Sequence, residues 1–132
     1  MERNSYVRGY LDAYLKMKDA AVEKIKEYGK TLEVYEVCKQ RIMKREGYKS
    51  VDEITDDEMD DMRWCDTYSC AFEGKHGYIY CCHIVMVRYN ENMNDVDVYL
   101  ESDEGDVAEW LPASYIGFDT YAIYMTILDF CE

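Results

Sequence analysis

The chain has 132 residues, 28 acidic against 15 basic, and a formal net charge of −13. The charge is unevenly spread. Residues 1–49 hold 12 Lys/Arg and 8 Asp/Glu, a net of +4, whereas residues 50–132 hold 3 Lys/Arg and 20 Asp/Glu, a net of −17. Such a charge acts on partners and encounter rate rather than on fold, and it excludes direct binding of the acidic part to a phosphate backbone. A hydrophobic content of 48% excludes an intrinsically disordered chain. The length predicts one domain over 1–132, with a basic-leaning helical segment at 1–49 and an acidic segment at 50–132. No apolar run near the start resembles a signal sequence, so the expected location is the cytoplasm, with reduced cysteines and no membrane contact.

Residues 5 to about 29 predict an amphipathic helix, with Val7, Leu11, Tyr14, Ala21, Ile25 and Tyr28 on one stripe and Asn4 or Ser5 as its cap. Asp12 and Lys16 make an i,i+4 pair, and the mixed charges read as a solvated face. Gly29 breaks or kinks this helix. A second helical segment follows over roughly 31–45, with Leu32, Tyr35, Cys38 and Ile42 on one side, and it ends at Gly47. The two segments could also be one long helix. Thr55-Asp56-Asp57-Glu58 is a capping box, and Ile54 and Met59 stand as its hydrophobic staple, predicting a third helix to about Ala71.

Gly74-Lys75-His76-Gly77 is turn chemistry, after which the period changes. Tyr78 to Tyr89 predicts a long central strand. Val96 to Glu101 alternates, with Val96, Val98 and Leu100 facing in and Asp97, Tyr99 and Glu101 facing out. Val107 to Leu111 predicts a third strand, ended by Pro112. A last helix is expected from Asp119 as N-cap to Cys131, burying Ile123, Tyr124, Ile127 and Leu128. Helices, a three-stranded antiparallel meander and a C-terminal helix make an α+β fold.

Two acidic runs are the candidate contact surface. Asp95, Asp97, Glu101, Asp103, Glu104, Asp106 and Glu109 contain no basic residue between them, and Tyr99 sits among them. Like charges opposite one another on a hairpin are destabilising, so an uncompensated cluster points to a partner. Exposed acids also protect an edge strand from aggregation, which is the alternative role. The second run, with Asp57, Asp60 and Asp61, doubles as the start of the third helix. Tyrosine, at 14 residues, is a side chain enriched at interfaces.

Cys65, Cys70, His76, Cys81, Cys82 and His83 offer zinc-type ligands, but no C-x-x-C is present and adjacent strand residues point to opposite faces. The reading is therefore no metal and no cofactor. The acidic loop also fails as a calcium site, because Leu100 stands where such a loop needs glycine. No phosphate-binding glycine loop, H-E-x-x-H or nucleophile elbow is present, so no enzymatic activity is expected. A Cys82–His76 dyad, as in a small hydrolase, and a structural-metal or ligand-binding domain built on the Cys/His cluster are the alternatives.

In size, acidity, tyrosine content and helix-plus-meander layout, the chain resembles small acidic proteins of phages and mobile elements, including anti-CRISPR inhibitors. The resemblance implies an inhibitor without catalysis of its own. It would bind a basic protein such as a host nuclease or another defence protein, as a nucleic-acid mimic. The +4 segment lying against the acidic segment of a second copy would give a homodimer.

Overall fold

Gly29 separates the first two helices by taking a left-handed backbone, with φ of 69°, where glycine has no steric cost. In the computed structural model, which describes residues 2–65, 67–74, 76–116 and 120–131, α1 spans Glu2–Tyr28, and the two-residue strand β1 (Leu32–Glu33) follows. Helix α2 spans Val34–Glu46 and stops at Gly47, also left-handed. One continuous helix is thereby ruled out. Asn4 and Ser5 lie inside α1 rather than capping it, since the helix already begins at Glu2.

The capping box forms as expected: the Glu58 amide donates to the Thr55 hydroxyl, and the Glu58 carboxylate accepts from the Thr55 amide. Helix α3 (Asp56–Arg63) is shorter than predicted. It ends at Trp64, and Ser69–Glu73 is strand β2 rather than its last turns. The turn residues Gly74 and Gly77 then lead into β3 (Ile79–Asn90), followed by β4 (Asp95–Ser102) and β5 (Ala108–Pro112). Helix α4 (Thr120–Phe130) closes the chain. The expected N-cap Asp119 lies outside the described residues.

The described residues form four helices and one antiparallel sheet of five strands, where the sequence predicts three. Strand β3 is long enough to pair with β2 along its first half and β1 along its second, while β4 takes its other edge and β5 pairs with β4. A bulge at Val85 shifts the β3–β4 register between Ile84 and Met86.

The inner face carries Val96, Val98 and Leu100, all fully buried, with Cys82, Ile84 and Val87 beside them. Ala21, Val22 and Ile25 of α1, Val37 and Ile42 of α2, and Ile123 and Ile127 of α4 join the same core. Tyr14 and Tyr124 pack edge to face at 6.1 Å between α1 and α4. Along α1, Ala21, Val22 and Ile25 are buried, and Tyr14 and Met17 pack partly against the core. Leu11 and Leu15 remain exposed.

Candidate functional site

The hairpin β4–β5 carries the main acidic run, and the structure divides it in two. Asp95 and Asp97 are buried, 3% and 7% exposed. Asp95 Oδ1 accepts from the Val96 amide at 2.7 Å and the Tyr124 hydroxyl at 3.2 Å, and Lys18 Nζ lies 3.7 Å from Oδ2. Burial, and after it that carboxylate, push the Tyr124 hydroxyl pKa up. Asp97 Oδ2 accepts from Arg88 Nε at 3.3 Å and Oδ1 from Asn90 Nδ2 at 2.8 Å.

The Arg88 guanidinium lies 3.8 Å from the centre of the Trp110 ring, which packs edge to face with Tyr99 at 5.4 Å. Tyr99 is half-buried. These findings correct the solvent-facing assignment of Asp95 and Asp97. Alternation places Asp97 on the outer face, but the cross-strand register sets it opposite Arg88 and Pro112, and Arg88 and Asn90 donate to its carboxylate there.

The rest of the run is different. Asp103, Glu104 and Asp106 are exposed in a turn in which Gly105 takes φ of 81°. The Ser102 hydroxyl accepts from the Val107 amide and closes the turn. Glu109 is exposed on the edge strand, and Glu101 is half-buried opposite His83. Among the described residues none of these five forms an ion pair.

The register Cys82↔Ser102 sets this turn beside the β2–β3 turn. There a groove of about 530 Å³ is lined by Glu73, Asp106 and Glu109 together with Phe72, His76 and Tyr80. Tyr78 and Ile79, next to it in sequence, are 66% and 65% exposed. Sequence reasoning missed Glu73, Tyr78 and Ile79. The available signal was that a hairpin turn at 74–77 brings its flanks to the same end of the sheet as the turn after the next, which follows β4.

The opposite end of the sheet holds a cleft of about 500 Å³ with Lys26, Lys30 and Arg88 against Glu91.

In α3, Asp57, Asp60 and Asp61 are exposed, and Asp60 lies 3.9 Å from Arg63. Glu58 is occupied: it accepts from the Thr55 amide and hydroxyl at 3.0 Å and from the Tyr48 hydroxyl at 3.1 Å. The Thr55 amide bond, foremost, holds its carboxyl below the usual range. Between α3 and the end of β4 opens a pocket of about 300 Å³, walled by Val34, Met59, Ile84 and Val85, with Arg63 and Glu101 at its rim. Of the acids in the two runs, only Glu101 lines it; α3 contributes Met59 and Arg63.

Among the described residues no three His, Cys, Asp or Glu side chains are grouped to hold a metal ion. Burial pushes the Cys38 thiol up to about 11 and raises Cys82 and Cys131. These thiols are set toward the protonated form, the opposite of an activated nucleophile. Cys82 is buried in β3 and His76 is exposed in the turn, and among the described residues no hydrogen bond joins them. His83 packs edge to face on Trp64 at 5.0 Å, and burial lowers its pKa. No described helix is long and apolar enough to cross a membrane.

Comparison of the chain with protein-family models, with curated protein sequences and with solved structures found no match.

Proposed function

We propose that this chain is an acidic interaction module that occupies the basic, nucleic-acid-binding groove of another protein and competes with DNA or RNA there. The observation that supports it is the uncompensated charge at one end of the sheet. Glu73, Asp103, Glu104, Asp106 and Glu109 are all exposed, and among the described residues none has a cationic partner. Holding like charges this close opposes folding, so the arrangement is explained by a partner that neutralises them. Exposed Tyr78 and Ile79 next to the charge supply the apolar contact that a specific interface needs.

With the resemblance to phage-borne inhibitors, the target class is a nuclease or another defence protein. In this reading the module has no catalytic step. Clustered charge speeds encounter and makes binding steeply salt-dependent.

The test is to reverse Asp103, Glu104, Asp106 and Glu109 to lysine. Retention of nucleic-acid-binding proteins on the immobilised chain is then compared across a salt series, with release by added DNA. The expected outcome is loss of the salt-sensitive, DNA-competed fraction. Unchanged capture by the variant would remove the acidic end from the interface.

A further inference from the structure

Of the openings in the molecule, the one between α2, α3 and the bulged part of β3 differs most from a charged surface. Val34, Met59, Ile84 and Val85 wall it, and Cys38 lies against it. Val85 is the extra residue of the bulge, so it faces no cross-strand partner and its side chain is only half-buried. Tyr35 stands at the mouth, 47% exposed.

The rim is charged, and its balance can be read pair by pair. Arg63 is held by Asp60 one turn earlier at 3.9 Å, and Lys39, over the Tyr35 ring, by Glu36 at 3.2 Å. Glu101 lines the pocket together with Arg63, and Asp103 follows Glu101 two residues on, just past the end of β4. Among the described residues neither Glu101 nor Asp103 has an ion-pair partner. His83 has its pKa lowered by burial, so it is neutral near pH 7 and does not offset them. An apolar socket with a net negative rim is complementary to an apolar side chain flanked by cations.

We propose that this pocket is the anchor point of the interface. A basic segment of the partner inserts one large apolar side chain between Met59, Ile84 and Val85, and its flanking Lys or Arg residues lie on Glu101 and Asp103. This deepens the reading above and rests on it: the acidic end gives encounter, the socket gives residence. Apolar burial at the centre of a charged rim is the usual composition of a binding hot spot.

The probes are two fluorescein-labelled oligo-arginine peptides, identical but for a central phenylalanine in one and a serine in the other. Their affinities are read by fluorescence anisotropy at about 50 and about 300 mM salt, where screening removes exposed charge pairs but leaves apolar burial. The phenylalanine peptide is expected to bind about tenfold more tightly, a gap that persists at the higher salt. In the Val85→Trp variant, whose indole fills the socket, the gap closes. Independently of that variant's folding, the phenylalanine peptide shifts the Trp64 indole and His83 ring resonances of the unaltered protein, and the serine peptide does not.

Equal affinity of the two peptides, or a gap untouched in a folded Val85→Trp protein, overturns the socket. If both still bind with strong salt dependence, the acidic-module reading stands without it. If neither peptide binds at the lower salt, the socket and the acidic module fall together.

Discussion

Seven acids on one hairpin look alike in the sequence, yet two of them and four others have opposite physical roles. Asp95 and Asp97, at the start of β4, are buried and fully engaged. Asp103, Glu104, Asp106 and Glu109, around the next turn, are exposed and among the described residues have no ion-pair partner. A carboxylate leaves water only when hydrogen bonds and a cation replace its hydration. Asp95 obtains these from Tyr124 and Lys18, so it ties β4 to α4 and α1. Among the described residues the exposed four have no cation at ion-pair distance. Net charge therefore overstates what is free to meet a partner: part of it is internal structure, and the exposed remainder is divided between this end of the sheet and α3.

The sharpest way to break this comparison is Asp95→Ala. It removes the buried carboxylate that accepts from the Tyr124 hydroxyl and faces Lys18, and a loss of about 2–4 kcal/mol is expected. It is measured from the urea midpoint at unchanged slope. Asp95→Asn keeps an acceptor for Tyr124 and should recover part of that loss. If Asp95→Ala costs no more than Asp106→Ala, burial has not separated the two groups.

Asp97→Ala comes next. Arg88 is nearly half exposed and can turn to solvent, so the pair is discounted by screening. Asn90 and the Arg88–Trp110 stack lose their shared anchor as well, and about 1–2 kcal/mol is expected. A double-mutant cycle with Arg88→Ala separates the pair from the stack.

The same division runs through α3, where Glu58 is engaged and Asp57, Asp60 and Asp61 are exposed. Thr55→Ala removes the cap and should cost about 1 kcal/mol. Glu58 has its pKa lowered from 4.5 by the Thr55 amide first and then the other donors. A carboxyl lowered in the folded state contributes stability above its unfolded pKa, and loses it as pH falls through the folded value. Thermal midpoints followed downward from about pH 5 should therefore drop more in the unaltered protein than in Glu58→Gln.

What could be read in the sequence was what is locally encoded. The Thr55–Glu58 box, the Gly29 and Gly47 stops and the alternation of Val96, Val98 and Leu100 each follow from neighbours a few residues apart, and each forms. The strands β1 and β2 were not legible. Leu32–Glu33 and Ser69–Glu73 have too little periodicity of their own, and they are strands because the long β3 offers them an edge. The burial of Asp95 depends on Lys18 and Tyr124, far away in the chain. That of Asp97 did leave a trace: Arg88 is the one basic residue within the predicted central strand, and a hairpin through 91–94 sets it opposite Asp97.

The smallest expected effect tests the comparison from its other side. Replacing Asp103, Glu104, Asp106 and Glu109 by their amides removes four charges that have no ion-pair partner among the described residues, and exposed substitutions of this kind change stability by about 0.5 kcal/mol or less. The sign should be favourable, because mutual repulsion is relieved. The gain should be largest at low salt and vanish toward about 1 M, where the Debye length falls to about 3 Å. A salt series of urea midpoints for the two proteins measures it. A loss of stability that salt does not alter would mean that these side chains hold the turn itself. They would then belong with Asp95 and Asp97, and the charge reserved for a partner would have to be sought elsewhere, on α3.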